Sequence, residues 1–135
     1  MKVVGIAIDK RKVVIVALRK TADGIINYTG KYKPIAMEDD DVAENVRLFK
    51  NTLFSTIDSF NPDNVVFLKR GSSGMFAASP LSFKIEGLIQ LYERCGVFST
   101  SPQTLAAFYK KNELAADCEY QYQSEALKVA YHFLK

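Results

Sequence analysis

The sequence predicts one α/β domain over residues 1–135, built on a mixed five-stranded sheet with helices on both faces and the order βββαβαβα. Three observations lead there. The first part of the chain is a run of Val- and Ile-rich segments separated by polar turns, the pattern of a β-meander. Beyond it, apolar residues change to helical spacing, and strand-like runs then alternate with helical ones. Two helical stretches open on the same dipeptide, at Ser79-Pro80 and Ser101-Pro102, where Ser caps a helix and Pro fits its first turn.

Lys2 to Asp9 and Lys12 to Arg19 make the first two strands, parted by a hairpin at Asp9-Lys10-Arg11-Lys12. Thr21-Ala22-Asp23-Gly24 is the next turn, with Asp-Gly favouring positive φ, and Ile25 to Lys33 is the third strand, ended by Pro34. In the first strand Val3, Gly5, Ala7 and Asp9 share one face, while Val4, Ile6 and Ile8 share the other. Gly5 and Ala7 leave room on their face for a close neighbour. Asp9 is the only acid of that strand and reads as a turn residue.

Asp39 to Phe60 is the clearest helix, with Val42, Val46, Phe49, Leu53, Ile57 and Phe60 on one stripe. Asp41 and Glu44 have capping-box spacing, and Glu38 to Asp41 place negative charge at the positive end of the helix dipole. Capping explains this acidic run better than a metal site, whose ligands must converge. Asn61-Pro62-Asp63 turns the chain into a fourth strand, Asn64 to Leu68. The helix opened by Ser79-Pro80 carries Leu81, Ile85, Leu88 and Tyr92, and Gly96 reads as its stop. Val97 to Thr100 is the fifth strand, and the helix from Ser101-Pro102 runs to Lys111. After a polar connection, Asn112 to Gln123, the last helix holds Leu127, Ala130, Tyr131 and Leu134 on one stripe. His132, the only histidine, has no Cys or second His beside it and reads as a solvated helix residue.

Eighteen Lys and Arg against fifteen Asp and Glu leave a net charge of +3, which permits a polyanionic partner without demanding one. Cys95 and Cys118 form no motif, and a reducing, cytoplasmic setting is the expectation. There is no signal-peptide pattern and no apolar run long enough to span a membrane.

The stretch of most chemical interest is Lys69 to Gly87, KRGSSGMFAASPLSFKIEG, which follows the fourth strand. Strand, small-residue loop and helix in that order build sites at the carboxyl ends of strands in open α/β sheets. The loop lacks the Gly-Lys-Ser/Thr ending of a P-loop. It reads either as a surface connection with solvated cations or as a binding site. Met75 and Phe76 fit base stacking, an apolar plug or a protein contact.

The element order is that of the ribonuclease H-like fold, and particular residues sharpen the likeness. Pro62-Asp63-Asn64-Val65-Val66-Phe67, the helix through Lys84-Ile85-Glu86-Gly87, and Val97-Phe98-Ser99-Thr100-Ser101-Pro102 resemble the middle of RuvC-type Holliday-junction resolvases. Val4-Gly5-Ile6 and the strand from Val13 to Leu18 resemble their opening hairpin. The Lys-Arg, Gly-rich, Ser-Phe-Lys stretch resembles a small bacterial family of unknown function. The resemblance implies a nuclease whose carboxylates hold two metal ions about 4 Å apart. The positions it assigns to those acids are here Ala7, Leu68, Tyr122 and Glu125, so one acid in four is present. A relocated Mg²⁺ site from Asp9, Glu86 and Glu125 is the alternative, although Asp9 lies about 7 Å beyond Ala7 along the strand.

Cations stand where metal would neutralise phosphate. The leading expectation is therefore a catalytically degenerate RuvC-like domain, a pseudonuclease with no catalytic residue and no cofactor. It binds nucleic acid or another phosphate-bearing ligand through Lys69, Arg70, Ser72, Ser73 and Lys84, with Lys10, Arg11 and Lys12 nearby. The runner-up is an interaction or regulatory protein, in some versions a homodimer, with a vestigial cleft. A metal-dependent nuclease with relocated acids comes last.

Overall fold

A computed structural model describes residues 1–70 and 79–135. Its strands are β1 (Lys2–Asp9), β2 (Lys12–Thr21), β3 (Gly24–Asn27), β4 (Ile35–Ala36), β5 (Asn64–Leu68) and β6 (Gly96–Thr100). Its helices are α1 (Ala43–Phe60), α2 (Pro80–Gln90), α3 (Pro102–Tyr109) and α4 (Ser124–Leu134), the last entered through a 3₁₀ turn, Gln121–Gln123. The sheet runs β3-β2-β1-β5-β6, with β4 also paired to β2. β1 is antiparallel to β2 and parallel to β5, in a register that sets Val4 beside Val65 and Ile6 beside Phe67. β6 extends the parallel half of the sheet.

The two faces of β1 separate as its alternation requires. Val4, Ile6 and Ile8 join Phe49, Leu53 and Ile57 of α1 and Ile85 and Ile89 of α2 in one apolar layer. Val3 and Ala7 join Val66, Leu68, Leu105 of α3 and Ala126, Leu127 and Ala130 of α4 in the other. Gly5 is the reason α4 can lie so close. A Cβ there would overlap the Ala126 carbonyl oxygen and come within 2.7 Å of the Ala130 Cβ.

The sheet has six strands rather than five: the third strand, expected over Ile25 to Lys33, ends at Asn27, and a further two-residue strand, β4, pairs with β2 beyond Pro34. β3 stops at Asn27, where side chains take over the ladder. The Thr29 hydroxyl accepts the Ala17 N–H at 2.8 Å and donates to Asn27 Oδ1 at 2.6 Å. Gly30 then takes φ +73°, and the chain rejoins β2 only at Ile35. The capping box expected at Asp41 and Glu44 does not form either. α1 starts at Ala43, and its N-cap, Val42, has no side-chain hydrogen bond. Asp39 instead shapes the turn before it, accepting the Asp41 N–H on its carboxylate and the Val42 N–H on its carbonyl. α2 ends at Gln90, short of Tyr92, and Gly96 opens β6 instead of stopping the helix. There a side chain would press on the Phe98 ring and on Asn64. α3 stops at Tyr109, before Lys111. His132 is half-buried, its ring edge-on to Phe108 at 4.7 Å, and is not a solvated residue.

Both Ser-Pro helix starts form as read: Ser79 accepts the Ser82 N–H, and Ser101 accepts the Thr104 N–H. Among the described residues no helix is long and apolar enough to cross a membrane.

Candidate functional site

β1, β5 and β6 are parallel, so their carboxyl ends share one edge of the sheet. Beyond Asp9 that edge carries Lys10 and Arg11; beyond Leu68 it carries Lys69 and Arg70; beyond Thr100 it carries the N-terminus of α3. The main chain after β5 is held firmly. The Lys69 N–H donates to the Thr100 carbonyl at 2.8 Å, and the Arg70 N–H donates to Glu86 Oε2 at 2.8 Å.

Lys69, Arg70, Phe83, Glu86, Ser101, Pro102 and Gln103 line a cleft of about 350 Å³. Lys69 is exposed and Arg70 half-buried, and neither is in an ion pair among the described residues. The segment 71–78 contains no Asp or Glu to neutralise them. Phe83 is 46% exposed beside them, an aromatic surface at the cleft wall. The positive end of the α3 dipole points the same way. Glu86 is the opposing charge, with one carboxylate oxygen committed to the Arg70 amide.

The other flank of α2 is different. Lys10, Arg11, Asp40, Ser79, Pro80 and Leu81 surround a larger cleft of about 630 Å³. Arg11 Nε donates to the Met37 carbonyl at 2.8 Å, and its Nη2 lies 3.9 Å from Asp40 Oδ1. Lys84 Nζ lies 2.8 Å from Asp40 Oδ2 and also donates to the Asp40 carbonyl. The Lys84 hydrogen bond holds the Asp40 carboxyl below its ordinary pKa, and the same bond raises that of Lys84. Lys84 therefore joins Arg11 and Asp40 and does not line the cleft of Lys69 and Arg70. Ser72 and Ser73, with Met75 and Phe76, lie outside the described residues.

The three candidate acids stand apart in role. Asp9 is exposed at the end of β1, opposite Lys12. Glu86 serves the Arg70 amide, and Glu125 is exposed in the first turn of α4. Among the described residues no three His, Cys, Asp or Glu side chains are grouped to hold a metal ion. Ala7 and Leu68 are 5% and 4% exposed, both within the apolar layer under α4. Tyr122 is exposed and stacks on Tyr120, with ring centroids 5.5 Å apart.

Residues 1–133 match the family model described as "Protein of unknown function (DUF3010)". The chain belongs to the DUF3010 family. No curated protein matches it. Among solved structures it is similar to Thermus thermophilus RuvC, with a TM-score of 0.75 and 12% identity over 97% of this chain and 92% of that one. It is similar to T. thermophilus RuvC in complex with a Holliday junction substrate, at TM-score 0.70 and 15% identity, covering 97% and 91%. Against the yeast mitochondrial Holliday junction resolvase Ydc2 the TM-score is 0.57 at 14% identity, covering 96% and 74%. The DUF3010 chain therefore has the RuvC-type, ribonuclease H-like fold.

Sequence reasoning missed Phe83, the α3 N-terminus and Asp40. The repeated Ser-Pro start was a usable signal for α3, since helices that follow parallel strands begin at one sheet edge. Asp40 pairs with a residue 44 positions away, and nothing local marks such a pair.

Proposed function

We propose that this DUF3010 chain binds nucleic acid through phosphate contacts at the cleft of Lys69 and Arg70, and that it does not cleave by a two-metal mechanism. The observation that carries the reading is a pair of cations without an ionic partner among the described residues, held by main-chain hydrogen bonds at the carboxyl end of a central parallel strand. Fixed Lys and Arg groups beside a helix N-terminus suit phosphate oxygens. Phe83 adds a face on which a base or sugar can rest. The fold supports this reading, since a RuvC of the same fold is known in complex with a Holliday junction substrate. Ala7 and Leu68 support the second half. Their side chains offer no oxygen ligand, and the apolar layer around them disfavours an ion.

Fluorescence anisotropy with labelled single-stranded, duplex and branched DNA tests both halves. The expected result is binding that weakens as salt rises, with a Kd on the order of 10⁻⁴ to 10⁻⁶ M near physiological salt. Mg²⁺ or Mn²⁺ should produce no cleavage. Absent or salt-independent binding would remove the first half. Metal-dependent cutting that disappears in Asp9→Ala would overturn the second. A competing reading, an interaction protein with a vestigial cleft, draws on Phe98, which is 48% exposed on the edge strand β6. Absence of nucleic-acid binding would put it first.

A further inference from the structure

We infer that Lys10, Arg11 and Lys84 form a second phosphate subsite, and that Asp40 is an internal competitor that occupies it in the free protein. This rests on the nucleic-acid reading and extends it across α2. The Asp40 carboxylate sits between two cations from distant parts of the chain, with one oxygen 3.9 Å from Arg11 Nη2 and the other 2.8 Å from Lys84 Nζ. A phosphate oxygen pair makes the same kind of contacts, and Arg binds phosphate as readily as carboxylate.

The geometry permits exchange. The side chains of Arg11, Lys84 and Asp40 keep 50%, 42% and 27% of their exposure, so a ligand can reach them without opening the core. Ion pairs this exposed contribute little to stability, so giving one up for a phosphate costs the fold little. The cleft of about 630 Å³ in front of Lys10, Arg11 and Ser79 gives the incoming group room. Lys10, at φ +59° on the hairpin tip, is in no ion pair among the described residues. The two subsites flank the first turns of α2. A helix is about 10 Å across, and duplex phosphates on one strand repeat about every 3.4 Å along the axis. A polyanionic strand long enough to lie across α2 is the ligand that would engage both subsites.

The test titrates the full chain with a labelled oligonucleotide at several salt concentrations, comparing wild type, Asp40→Asn, Glu38→Gln and the double variant Asp40→Asn/Lys84→Met. Glu38 is an exposed acid of the same run and makes no ion pair among the described residues, so its variant reports the loss of one negative charge alone. Asp40→Asn should bind several-fold more tightly. Its slope of log K against log salt should be steeper by roughly 0.7 to 1.8, the signature of one or two added phosphate contacts. Glu38→Gln should gain less with little change of slope, and Lys84→Met should cancel much of the Asp40→Asn gain. Equal gains in Asp40→Asn and Glu38→Gln, or a gain that survives Lys84→Met, would overturn the inference. Wild-type binding that depends on Lys69 and Arg70 would in that case leave the parent reading standing. No binding by any variant would overturn both.

Discussion

Leu68 and Lys69 are consecutive residues at the end of β5, yet they belong to different regimes. Leu68 is 4% exposed in the apolar layer under α4; Lys69 is exposed and unpaired among the described residues, one peptide further out. β1 repeats the contrast, from buried Ala7 to exposed Asp9 and the Lys10-Arg11 turn. The strand bodies answer only to packing, whereas their carboxyl ends are free to carry charge. In this chain the difference leaves Lys10, Arg11, Lys69 and Arg70 at the rim of the sheet, where side chains still meet water.

The contrast can be broken at Leu68. Leu68→Asp would bury a carboxylate in an apolar layer and should cost at least about 3 kcal/mol of unfolding free energy. Lys69→Ala, one residue on, should stay within about 0.5 kcal/mol of wild type, as exposed sites do. Urea unfolding of the two variants measures both values. A stable Leu68→Asp protein would mean that the layer under α4 admits charge, and it would reopen the question of metal there. Gly5→Ala sharpens the same comparison with a smaller effect. Its new Cβ would collide with the main chain of α4, and overpacking of that kind costs about 1–3 kcal/mol. The loss should appear in urea unfolding while nucleic-acid affinity of the folded protein is unchanged. A Gly5→Ala protein as stable as wild type would show that α4 can move off the sheet.

The strand bodies were the legible part of this chain. Period-two spacing sorts Val4, Ile6 and Ile8 onto one face of β1, helical spacing sets Phe49, Leu53 and Ile57 on one stripe of α1, and the two meet in one apolar layer. Local polar competition was not legible. The Thr29 hydroxyl displaces a ladder partner of Ala17, and Asp39 builds a turn where a capping box was expected. The candidate site was readable in part. Lys69 and Arg70 follow a buried strand, so their position at the rim could be inferred from order alone. The side of α2 on which Lys84 would be engaged could not, because Asp40, its partner, reaches it only through the tertiary fold. Counting cations along the sequence therefore overstates the open site: of the predicted cluster, Lys84 already has its anion.

The central claim is that Lys69 and Arg70 contact phosphate, and the salt dependence of binding tests it most directly. Wild type and a folded Lys69→Ala/Arg70→Ala double variant are titrated with single-stranded and duplex oligonucleotides over a range of salt concentrations. Losing two phosphate contacts should weaken binding and reduce the slope of log K against log salt by roughly 1.4 for single strands and 1.8 for duplex. A double variant that is folded and keeps the affinity and slope of the wild type would contradict the account.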